Sequence, residues 1–103
     1  MKKHRWINDD TDEFMLSLLE LKNLAEARAF LGDVLTESEI QDVANRWKAA
    51  KMLSFGISYR KIERATGMSS ATISRIRRIL GEGLGGYRLM IAKLSSTQKR
   101  GCE

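Results

Sequence analysis

The sequence has no proline, one cysteine, one histidine and no long hydrophobic run. Each absence excludes something. A lone Cys102 rules out an intrachain disulfide, and with His4 as the only histidine there is no Cys/His set to hold a metal. No apolar stretch approaches the roughly 18 residues needed to cross a bilayer. The start, MKKHRWINDDTDE, has no apolar h-region and does not read as a secretion signal. A cytoplasmic location follows as the expectation, with MKKHR a frayed basic end. Acids are plentiful, but no nucleophile, base and orienting group cluster along the chain, so we expect no enzyme.

At 103 residues a single domain is expected. Leu, Ala, Lys, Arg, Glu and Met dominate, all good helix formers, and no alternating strand pattern is visible. The fold class is therefore all-α. The formal net charge is +5, but it is unevenly spread. Residues 1–45 carry five Lys/Arg and ten Asp/Glu, a net of −5, whereas residues 46–103 carry thirteen and three, a net of +10. That asymmetry points to a polyanion-binding half joined to a half with another task.

Six helices are predicted. Asp10 or Thr11 can cap the first, running to about Lys22. Asn23 can break it and cap a second, ending near Gly32. Thr36 with Glu39 forms a capping box for a third over 37–55, closed by Gly56. Ser58 caps a fourth, ending at Gly67. Ser69 or Ser70 caps a fifth over 70–80, and Gly85 and Gly86 precede a sixth at about 87–96. STQKRGCE reads as a polar, frayed tail. In the first helix Phe14, Met15, Leu16, Leu18, Leu19 and Leu21 cover most of the circumference. A helix apolar nearly all round needs cover on several sides, so residues 10–35 are expected in a dimer core, with residues 10–55 together building the dimer. On the third helix Ile40, Val43, Ala44, Trp47 and Ala50 form one stripe, with Trp47 expected in the core. Trp6 can pack onto the first helix or remain exposed.

Function is most legible in SYRKIERATGMSSATISRI, residues 58–76. A short basic helix carries Arg60, Lys61 and Arg64 outside and Ile62 inside. Gly67 permits a sharp turn at positive φ, Met68 plugs the corner, and a serine pair restarts the helix. This is the pattern of a helix-turn-helix. At 100° per residue, Ile73, Ile76 and Leu80 share an inner face, and Ser70, Ala71, Ser74, Arg77 and Arg78 share the outer one. Small residues let a helix enter a major groove, where hydroxyls and a methyl can meet base edges. Ser69, Ser70, Ala71 and Ser74 are thus the candidate base-facing residues. Arg60, Lys61, Arg77 and Arg78 are the candidate phosphate contacts. The N-terminus at Ser69–Ser70 also offers free N–H groups to a phosphate. Glu63 stands where many such motifs carry a small residue.

The segment from about Leu16 to Arg88 resembles the Trp repressor family, most closely its small bacterial Trp-repressor-like branch (YerC/YecD type). LTESE (35–39), Arg46 and GISYRKIERATGMSSATISR (56–75) carry the resemblance. It implies an intertwined all-helical homodimer on double-stranded DNA, repressing at a roughly palindromic operator. The half-sites would lie about 34 Å apart, a spacing common to helix-turn-helix dimers. It also implies an effector pocket at Thr36, Arg46, Thr72 and Arg75. Where the tryptophan-binding member has a glycine and a serine beside the indole, this chain has Ile76 and Ile79. Two β-branched side chains would overpack that space. We therefore expect no tryptophan cofactor, and a regulator competent without ligand or using another effector. A permanent Ile76 side chain could prop the recognition helix as the ligand does there.

GEGLGG, residues 81–86, matches a dinucleotide fingerprint. That motif requires a preceding strand, so here we read a helix stop and hinge, with residues 81–103 forming hinge, last helix and tail. Two alternatives to a sequence-specific regulator remain at this level: a nonspecific architectural DNA-binding protein and a helical protein-interaction adaptor.

Overall fold

A computed structural model describes residues 4–101, with side chains described for residues 4–95. The expectations for Met1–Lys3 and for Cys102 lie outside the described residues. The described chain is all-α with six helices: α1 Asp9–Leu18, α2 Leu24–Val34, α3 Glu37–Ser54, α4 Tyr59–Thr66, α5 Ser70–Glu82 and α6 Gly86–Gly101. It divides into two compact units, Met1–Ile40 and Gln41–Glu103.

In the first unit the cap of α1 is Asn8, not Asp10 or Thr11. The Asn8 carboxamide accepts the Thr11 N–H at 2.9 Å, and Thr11 Oγ1 accepts the Asn8 N–H at 3.0 Å. Asp9, Asp10 and Asp12 then fall in the first turn, where the helix dipole favours negative charge. The helix ends at Leu18, four residues before the predicted Lys22. Leu19, Glu20 and Leu21 donate to the carbonyls of Leu16, Ser17 and Leu18, tightening the chain into a turn. The start of α2 enforces that stop. Asn23 Oδ1 accepts the Glu26 N–H at 2.9 Å, and the Glu26 carboxylate accepts the Lys22 N–H at 3.0 Å. Phe14 of α1 stacks on Phe30 of α2 at 5.8 Å. Neither helix contains a buried residue. Met15, Leu16, Leu19 and Leu24 are exposed, Leu19 by 77%. Trp6 is also exposed and stacks on His4.

The capping box of α3 forms as expected. Thr36 Oγ1 accepts the Glu39 N–H at 3.1 Å, and the Glu39 carboxylate accepts the Thr36 N–H at 2.9 Å. The predicted apolar stripe is buried in part. Val43 and Ala44 are exposed and Trp47 is half-buried, while Ala49 and Ala50 are fully buried. Burial begins where α3 has neighbours: Ala49 and Ala50 cluster with Ile62 of α4 and Ile73 and Ile76 of α5. Two alanines in succession let backbones approach closely at that point. Trp47 instead lies against Tyr87 of α6, ring centroids 6.4 Å apart, with the Lys51 ammonium 5.6 Å from its ring. That places a cation over an aromatic face.

Local signals at α4 and α5 are met closely. Ser58 caps α4 by accepting the Lys61 N–H, and Gly67 ends it at φ +73°. A Cβ at Gly67 would meet nothing within 4 Å, so the need for glycine there is conformational rather than steric. Gly67→Ala is expected to cost about 1–2 kcal/mol, the usual penalty for an L-residue in the left-handed region. A lowered thermal midpoint with helix content intact would show it. Ser69 caps α5, which runs to Glu82, two residues beyond the prediction. α6 continues to Gly101 rather than stopping near 96. Nothing between those positions breaks a helix until that glycine.

Candidate nucleic-acid interface

The candidate interface lies on α4 and α5 in the second unit. On α4, Ile62 is fully buried, which turns Arg60 and Lys61 outward, and both are exposed. On α5, Ile73 is 0% and Ile76 4% exposed, with Leu80 half-buried against the same cluster. The opposite face is open: Ser70, Ala71, Ser74, Arg77 and Arg78 are all exposed. Met68 packs on the core and fixes the corner. The carbonyl of Glu63 accepts the Gly67 N–H at 2.8 Å, closing α4. The α4–α5 pair is therefore held by apolar contacts on one side and presents hydroxyls, a methyl and cations on the other. No hydrogen bond or ion pair engages Arg60, Lys61, Arg77 or Arg78 through its side chain among the described residues.

Ser69 is placed differently from the other base-facing candidates. Its hydroxyl accepts the Thr72 N–H at 3.2 Å and lies 3.0 Å from Thr72 Oγ1. It serves the helix start first, which leaves Ser70, Ala71 and Ser74 as the unengaged residues on that face. The same contact occupies Thr72, one of the four effector-pocket candidates. Thr36 lies in the first unit and its hydroxyl is used in the α3 cap. Arg46 and Arg75 are exposed, without a partner among the described residues. Ile76 is turned into the core, whereas Ile79 is 43% exposed.

One feature at the end of α5 is not legible in the sequence. A cavity of about 620 Å³ is lined chiefly by Trp47, Ile79, Leu80, Leu84, Tyr87 and Met90. The glycine-rich joint shapes it. A Cβ on Gly83 would lie 2.6 Å from the Ile79 carbonyl oxygen, so only glycine fits. Gly85 turns at φ +84°, and the Arg88 guanidinium donates to the Gly81 carbonyl at 3.3 Å across the joint. The stop after α5 was legible in GEGLGG, but nothing in the sequence showed that Trp47 would wall a cavity beside it.

A family model described as Trp repressor protein matches residues 9–95. The chain belongs to the Trp repressor family. The Bacillus subtilis protein YerC, itself uncharacterized, is 40% identical over 89 residues, 86% of each chain. A solved TrpR-like protein from Eubacterium eligens is 37% identical with a TM-score of 0.83, over 86% of this chain and 92% of that one. A solved Trp repressor candidate from Staphylococcus aureus is 34% identical with a TM-score of 0.84, over 92% and 95%. The Trp repressor family consists of DNA-binding regulators rather than enzymes. Among the described residues no helix is long and apolar enough to cross a membrane.

Proposed function

We propose that this chain is a homodimeric, sequence-specific DNA-binding regulator, most simply a repressor at a roughly palindromic operator. Residues 58–80 form its helix-turn-helix and residues 10–55 its dimer core. The observation that carries the reading is the two-sided character of α5. Ile73 and Ile76 are buried, while Ser70, Ala71, Ser74, Arg77 and Arg78 are exposed on the other side. A solvated amphipathic helix has no need of small residues on its outer face; a helix that enters a major groove does. Support for the dimer comes from the first unit, whose α1 and α2 bury no residue yet carry Met15, Leu16, Leu19 and Leu24. Apolar surface of that kind on a soluble chain marks an interaction site. Ile76 in the core supports α5 being held without a ligand, so tryptophan is not needed for DNA binding. The effector pocket at Thr36, Arg46, Thr72 and Arg75 finds less support, since both threonine hydroxyls are already engaged.

The test is a binding series on one preferred duplex and one scrambled duplex over a range of salt. A specific regulator gives both a large affinity ratio and a steep salt slope. An architectural protein gives the slope without the ratio, and an adaptor gives neither. Within that series Lys61→Ala is expected to weaken both duplexes alike and to flatten the slope by about one unit. A changed base preference in that variant would overturn the assignment of Lys61 to phosphate.

A further inference from the structure

We propose that Tyr59 and Arg77 together seat one phosphate of the DNA backbone at the turn between α3 and α4. The proposal rests on the reading that this half of the chain binds DNA, and it adds a contact that the outer face of α5 does not reveal. A cleft of about 320 Å³ opens at that turn, lined by Leu53, Gly56, Ile57, Tyr59, Arg77 and Leu80. It brings a side chain from the first turn of α4 to the same space as one from the middle of α5.

The chemistry of the lining points to a phosphate. Arg77 is exposed and has no partner among the described residues, so its planar fork is free to bind two oxygens at once. Tyr59 is half-buried, with its ring packed against the core cluster. A ring already held by packing loses little freedom on binding, and a phenol supplies a neutral O–H donor. Gly56, at φ +76°, contributes no side chain to the wall, and a Cβ built there would meet nothing within 4 Å. A backbone can therefore approach closely at that point. The surrounding charge favours an anion: residues 58–80 hold six Lys/Arg and one Glu. The turn is tied down by the Ile57 N–H, which donates to the Met52 carbonyl at 3.0 Å. That bond fixes the turn to the end of α3, and Arg77, which lines the same cleft from α5, links a phosphate held there to the recognition helix. Tyr59 and Arg77 are positioning residues, setting how α5 enters the groove without reading a base.

The experiment compares Tyr59→Phe, Arg77→Ala and the double variant with the unaltered protein. Each is titrated with a preferred and a scrambled fluorescent duplex at several salt concentrations, and thermal melts check the fold. Phenylalanine keeps the ring and its packing and removes only the hydroxyl. The expected result for Tyr59→Phe is a loss of about threefold to tenfold on both duplexes, the range of one hydrogen bond, with an unchanged salt slope. Arg77→Ala flattens the slope by about one. The double variant loses less than the product of the two single losses, because both act on one phosphate. If Tyr59→Phe matches the unaltered protein on both duplexes, the seat is wrong and the DNA-binding reading stands. If Tyr59→Phe weakens only the preferred duplex, Tyr59 reads a base and the seat is again wrong. If the unaltered protein binds no duplex at any salt, the reading fails and the seat with it.

Discussion

Replacing Ser74 with phenylalanine is expected to remove sequence-specific DNA binding while sparing most nonspecific binding. Ser74 is exposed in the middle of the outer face of α5, one turn past Ser70 and Ala71. It takes no part in the core of Ile62, Ile73 and Ile76, so the substitution leaves the fold alone. Its effect falls on the groove. On the proposed reading, a benzyl group where a hydroxymethyl stood would hold the helix away from the base edges, and the short contacts proposed for Ser70 and Ala71 would be lost with its own. Specific complexes of this kind are typically about 10³ to 10⁷ times tighter than nonspecific ones. Affinity for the preferred duplex should therefore drop by about two orders of magnitude or more. Affinity for a scrambled duplex, proposed to depend on Arg60, Lys61, Arg77 and Arg78, should change little. Equal losses on both duplexes would mean that α5 does not lie in the groove by this face.

The second large effect is expected from Ile76→Gly. Ile76 is 4% exposed and packs with Ala49, Ala50, Ile62 and Ile73. Truncating a buried isoleucine to alanine costs about 2–5 kcal/mol, and glycine in place of alanine inside a helix about 1 kcal/mol more. Against a typical total of about 5–15 kcal/mol, that is a large fraction, and the thermal midpoint should fall steeply. The functional consequence is the more informative. Ile76 fills the space beneath α5 with a permanent side chain. At a temperature where the variant is still folded, ligand-free affinity for the preferred duplex should drop about tenfold or more, equivalent to about 1.4 kcal/mol. Ile76→Val, which removes one methyl, should retain most of both properties. A folded Ile76→Gly protein with unchanged ligand-free affinity would show that Ile76 does not hold α5 in place.

What was legible in the sequence follows from how local each signal is. Caps and turns read well where one candidate stood alone. Thr36 with Glu39, Ser58 and Gly67 each had no competitor nearby, and all three act as expected. The start of α1 did not read well, because Asn8, Asp9, Asp10 and Thr11 are all good cap formers in a row. Asn8 wins by reciprocating with Thr11, which leaves the aspartates in the first turn. The inner and outer faces of α5 were legible because helical periodicity assigns faces from spacing alone. Periodicity could not say how far along α3 its neighbours reach. Hence Val43 and Ala44, placed on the apolar stripe, are exposed, while Ala49 joins Ala50 in the core. The cavity beside Trp47 and the cleft at Tyr59 were invisible for the same reason. Each is made by residues far apart in the chain.

On the proposal above, this protein reads DNA sequence as a dimer and needs no ligand to do so. The most direct measurement is selection of bound duplexes from a random pool with purified protein and no added small molecule. Recovery of a palindrome with half-sites about one helical turn apart is the predicted result. Failure to enrich any sequence, followed by enrichment once tryptophan or another metabolite is added, would contradict ligand-free competence. No enrichment under either condition, with tight salt-sensitive binding to every duplex, would contradict sequence-specific reading itself.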